Sequence, residues 1–192
     1  MEITLRGLWT MIHGMGFGAL YLMACSGALV ELYRRYSSPL GPEIKEQDEK
    51  FLRIYLTAMA VLAWLAVLTG AYIIYPWYRA VPPSGAASLA DFPQRLLMSS
   101  PTTTGWHDIG MEWKEHIAWF APISLTTAAY LVWRYGLHLH ALQAVRRALF
   151  CLLALAFVAA GIAGFFGAML NKYAPVRGGA QIMLMHGDSH GE

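Results

Sequence analysis

The chain predicts an all-α integral membrane protein: four transmembrane helices in an up-down bundle, with both termini on the outer, periplasmic side. Three observations carry that expectation. Of 192 residues, 57% are hydrophobic and only 14% are charged, against roughly half and a quarter in a soluble domain. Four long apolar runs are each near or above the ~20 residues that cross about 30 Å of hydrocarbon. Basic residues gather in two of the connections between the runs, and this asymmetry sets orientation.

The first run covers residues 8–33. Only Met1 to Arg6 carry polar character before it. That is too short for the basic region of a cleavable signal, and the run is too long for a signal core, so it reads as a retained helix. The second run covers residues 51–75, the third 113–133 and the fourth 148–170. In lipid each must be helical, because nothing else satisfies its backbone within the segment.

The connections at 34–50 and 134–147, with the helix ends beside them, hold Arg34, Arg35, Lys45, Lys50, Arg53, Arg134, Arg146 and Arg147. The other side holds Arg6, Arg79, Arg95, Lys114, Lys172 and Arg177, spread over longer segments. The positive-inside rule therefore places both short connections in the cytoplasm of a bacterial inner membrane. The outer loop, residues 76–112, contains Pro82, Pro83 and Pro93. Its Leu96, Leu97 and Met98 suggest a short interfacial helix. Trp77, Tyr78, Trp106 and Trp113 flank the spans as an aromatic belt would. The outer tail, residues 171–192, is polar and is expected to lie along a partner or to stay mobile.

Several function classes are absent from the sequence. There is no phosphate-binding loop, nucleophile elbow, zinc-protease helix or c-type haem attachment motif. The net charge of +2, with no basic cluster interleaved with aromatics, points away from nucleic acid. Cys25 and Cys151 lie in apolar runs and read as small buried hydrophobes.

His13 is the residue to explain. It sits in MIHGMGFGAL, a few residues inside the first run. Ionisable groups inside a membrane usually mark function. His116 sits near the start of the third run, which points the same way as the first in an up-down bundle. The two histidines thus share the outer end, on diagonal helices. Two imidazoles at one depth suit the axial positions of a haem iron. The alternative for each is a satisfied polar side chain bonded to a neighbouring helix.

The His13 face continues through Gly16, a candidate for close approach of a porphyrin. Gly14 and Gly18 form a GxxxG beside it, and Gly161, Gly164 and Gly167 recur in the fourth run. Taken alone, such glycines are better explained by plain helix packing. Arg6, Arg79 and Lys114 are the nearest candidates to hold haem propionates, and His107 is the backup ligand. About eighteen residues make five helical turns, so Glu31 should continue the His13 face and Arg134 the His116 face. The two charges are expected to approach at the inner end. His138 and His140 find no inner mates. His186 and His190, with Met183 and Met185, offer a soft-metal alternative in the tail.

With paired histidines on a four-helix bundle, the chain resembles the broad class of bacterial membrane cytochromes b. The resemblance covers the four spans and rests on His13 and His116; an inner histidine pair is lacking. It implies one haem b, electron exchange near the outer face, and partners among outer-face redox subunits such as a c-type cytochrome. A quinone fits that class too, without a residue pattern of its own here. The alternative is a haem-free accessory or anchor subunit of a respiratory or photosynthetic complex. A metal-handling membrane protein is a third class.

Overall fold

The computed structural model describes residues 2–36 and 46–183. Strand β1 (Glu2–Thr4) leads into helix α1 (Leu5–Arg35). Helix α2 (Glu46–Tyr78) follows. Two short helices come next, α3 (Pro93–Met98) and α4 (Thr104–Glu112). They are followed by α5 (Phe120–Tyr135), α6 (Gln143–Tyr173) and strand β2 (Gln181–Met183). Helices α1, α2 and α6 are long and apolar enough to cross a membrane. Helix α5 is shorter, because the third run is split.

The long helices pack antiparallel in a ring. Tyr55 of α2 donates from its hydroxyl to the Ala24 carbonyl of α1 (2.8 Å). Trp64 and Trp133 donate their indole N–H groups to Thr126 and Thr57 across α2 and α5, at 3.0 Å each. Trp113 donates to the Ala159 carbonyl of α6 (3.1 Å). Helix α6 closes the ring against α1 and α5. Helices α1 and α5 are diagonal.

The core follows heptad-like spacing. Tyr21, Cys25, Ala28 and Leu32 of α1 meet Leu52, Leu56, Met59 and Ala63 of α2. Ala121, Leu125, Ala128 and Val132 of α5 meet Leu149, Leu153 and Ala156 of α6. Alternating alanine with larger side chains brings the backbones close, which is how helices associate where water cannot drive them together. Large apolar side chains such as Met15, Ile54, Tyr72 and Phe165 remain on the outside. Cys151 is exposed there as well, so only Cys25 is a buried thiol.

Hydropathy alone set the helix ends too tightly. Helix α2 begins at Glu46, where Glu46, Asp48 and Glu49 occupy its first turn; acidic groups favour a helix N-terminus. The third run starts earlier, as α4, and breaks at Ala118 and Trp119. Pro122 lacks the N–H that would bond the Ala118 carbonyl, so the helix restarts. The expected loop helix is α3, and with α4 it packs over the bundle end. Tyr78, Leu97, Met111, Leu170 and Ala174 form a second small core there. The tail forms strand β2, which pairs antiparallel with β1, Ile3 opposite Ile182. Both described ends of the chain therefore lie at the same end of the bundle.

Candidate functional site

Three helical runs widen into π turns: Ile12–Ala19 in α1, Gly70–Ile74 in α2, and Trp113–Ile117 after α4. Such turns are uncommon and gather at functional sites. Two have a local cause. The second precedes Pro76, which cannot donate a helical bond, and the third lies just before the break at Pro122. The first holds Gly14, Gly16 and Gly18.

The three turns meet at one polar cluster. His13 Nδ1 lies 3.2 Å from Thr69 Oγ1. The Thr69 hydroxyl donates to the Leu65 carbonyl (2.6 Å), so it accepts from His13. The Nδ1–H tautomer of His13 satisfies this contact. The ring lies against Gly70, where a Cβ would come within 2.8 Å of Cε1. Lys114 is close enough for its charge to act on His13. Its ammonium donates to the Ala163 carbonyl (3.4 Å), in a notch where a Cβ on Gly167 would sit 3.2 Å from Nζ. Among the described residues no carboxylate lies within 4.0 Å of that ammonium. The cluster thus draws on α1, α2, the third run and α6.

His116 is elsewhere. Its side chain is 67% exposed, with Nδ1 3.3 Å from the Glu112 carboxylate and donating to the Glu112 carbonyl (3.1 Å). No contact joins it to His13. His116 lies within the third π turn, just before the break at Ala118 and Trp119, on an exposed face.

The remaining candidates are also distributed. A Cβ on Gly16 would meet only Ile12 of its own helix, at 3.8 Å, and one on Gly14 would meet nothing within 4 Å. At the His13–Lys114 level the glycines that admit a neighbour are Gly70 and Gly167; Gly110, against Phe166, does the same for α4 and α6. Arg6 donates to the Arg177 carbonyl (3.4 Å) and lies over the Trp77 ring. Arg79 donates to the Tyr75 hydroxyl (2.9 Å). His107 is held between Tyr78 (2.7 Å) and Gln94 (3.3 Å) beneath the loop helices. Glu31 pairs with Arg34 and Arg35 of its own helix, not with Arg134. The π turns upset the eighteen-residue count that joined those faces. His138 and His140 lie in the turn after α5. Lys45, Met185, His186 and His190 lie outside the described residues, and Met183 is in β2.

As placed, these residues do not form a bis-histidine cage for haem. His13 and His107 are both part-buried, but each is bonded to different neighbours, His13 to Thr69 and His107 to Tyr78 and Gln94. Among the described residues no group of three or more His, Cys, Asp or Glu could hold a metal ion. What the cluster offers is N–H donors in an apolar setting, suited to an oxygen acceptor. Thr69, Gly70, Ala163 and Gly167 were not singled out from the sequence as members of this cluster. Thr-Gly inside an apolar run, LTGAYIIYP, was the available signal.

Comparison with family models, with curated proteins and with solved structures gave no match.

Proposed function

We propose that the chain is a haem-free, multi-pass membrane subunit of a larger complex of the respiratory or photosynthetic kind. Its four helical runs cross a bacterial inner membrane, with both termini outside and the two short connections inside. One observation carries this reading: His13 is engaged in joining α1 to α2 through Thr69 and Gly70. Its polarity is used within the bundle, as expected of a helix-packing histidine. The ordered layer of α3, α4 and the β1–β2 ribbon supplies an outer surface for partners.

A second reading keeps the haem. With Nδ1 donating to Thr69, Nε2 of His13 would keep its lone pair, the form a metal ligand takes when a neighbour fixes its other nitrogen. His116 would then have to turn inward, or a second ligand would have to come from another subunit. In this case electrons would pass near the outer face to a partner such as a c-type cytochrome, or to a quinone.

A reduced-minus-oxidised spectrum of protein produced with ample haem, with pyridine haemochrome analysis, separates the two. The haem-free reading expects no b-type signal. A stoichiometric b-type signal that is lost in His13→Ala would overturn it.

A further inference from the structure

A cavity of about 390 Å³ opens at the other end of the bundle, between the start of α2 and the end of α5. Lys50, Arg53 and Arg134 line it, together with Glu46 and Glu49. Two of the cations are matched within their own helix. Lys50 pairs with Glu46 at 3.0 Å. Arg53 donates to Glu49, whose side chain is only 7% exposed. Arg134 lies over the Tyr135 ring, 5.6 Å from its centroid. Among the described residues it has no carboxylate within 4.0 Å. Among the described lining residues three cations thus face two carboxylates.

The backbone is shaped around this pair. Gly136 turns the chain out of α5 at φ +52°, and a Cβ there would lie 2.5 Å from both Glu49 Oε1 and Arg53 Nη2. The packing is close enough to bury Glu49 Oε2 and Arg53 Nε, and neither has a hydrogen-bond partner among the described residues. Both orphaned atoms, one acceptor and one donor, are sealed inside the Glu49–Arg53 pair, so the group left to meet an acceptor with several oxygens is the exposed Arg134 guanidinium.

The walls beside the cavity are apolar. Phe51 and Ile54 of α2 and Trp133 of α5 are exposed. Trp133 also packs against the Arg53 guanidinium, 5.3 Å from the ring centroid. A charged recess on helices that also carry exposed apolar side chains matches a ligand with a phosphate at one end and hydrocarbon at the other. Basic pockets between membrane helices hold anionic head groups for this reason.

We propose that this recess binds the phosphate group of an anionic membrane phospholipid, with Arg134 on the phosphate oxygens and the acyl chains along α2 and α5. The inference shares with the functional reading only that α2 and α5 lie in lipid, and it stands whether or not haem is present.

The test uses the full chain, purified and delipidated in detergent. It is titrated with phosphatidylglycerol, phosphatidylcholine or inorganic phosphate and followed by native mass spectrometry. Phosphatidylglycerol should bind more tightly than phosphatidylcholine. Arg134→Gln should weaken that binding about fivefold, the effect of one cation near a lipid head group. Lys50→Gln should act in the same direction. Arg147→Gln removes an exposed charge near the start of α6, outside the cavity lining, and should leave binding unchanged. Circular dichroism confirms that each variant is folded. Equal binding of the two lipids overturns the proposal, as does an unchanged Arg134→Gln or an equal loss in Arg147→Gln. Tight binding of inorganic phosphate that phosphatidylglycerol does not displace also overturns it, since the ligand would then be free phosphate.

Discussion

The His13 ring occupies the space that a side chain on Gly70 would need: a Cβ there would lie 2.8 Å from Cε1. The atom across the gap belongs to a ring held by Thr69, so it cannot simply swing away. Gly70→Ala should therefore destabilise the protein by ~1–3 kcal/mol, as overpacking does. Gly14→Ala, where a Cβ meets nothing within 4 Å, should be neutral or stabilising by up to ~1 kcal/mol through helix propensity. Thermal unfolding in one detergent measures both. Equal effects would show that His13 is not seated on Gly70.

Lys114 tests what a half-buried ammonium does for the fold. It has a carbonyl partner at 3.4 Å and, among the described residues, no carboxylate within 4.0 Å. Replacing such a charge by an apolar side chain of similar length removes a desolvation cost. Lys114→Met should unfold at the same temperature or higher. A fall of more than ~1 kcal/mol in the same assay would mean that the ammonium has a stronger partner than Ala163.

Trp133 and Thr57 are bonded at 3.0 Å across α5 and α2. Interhelical hydrogen bonds in membrane proteins average about 0.6 kcal/mol, because the separated helices also find partners. A double-mutant cycle of Trp133→Phe and Thr57→Val should give a coupling of that size. Zero coupling would separate the two helices at this level.

The terminal ribbon should be a separable unit. Ile182→Pro removes a backbone donor from β2 and should free β1, whose Ile3 lies opposite Ile182. Hydrogen exchange of Glu2–Thr4 should rise toward the unprotected rate. Exchange in the core around Leu56 and Leu153 should not change.

The sequence made some of this architecture readable. Apolar runs marked the long helices, since length and composition are all that such a helix requires. Leu96, Leu97 and Met98 marked α3. The ends were less clear because Glu46, Asp48 and Glu49 are polar yet helical, and hydropathy does not register an acidic first turn. The pairing of Glu2–Thr4 with Gln181–Met183 was invisible, because two three-residue strands carry no periodicity. The site suffered from a different gap. Placing Glu31 on the His13 face assumed an unbroken 3.6-residue period, and a π turn at Ile12–Ala19 invalidates it. His13 was legible as a residue needing a partner. The partner was not, because Thr69 looks like any threonine in an apolar run.

Solid-state NMR in lipid bilayers tests the central claim most directly, using protein labelled at histidine and glycine. The account predicts a cross-peak between the His13 ring and Gly70 that disappears in Gly70→Ala, with no cross-peak between His13 and His116. A His13 ring close to His116, or shifted and broadened by a paramagnetic iron and without the Gly70 contact, would contradict it.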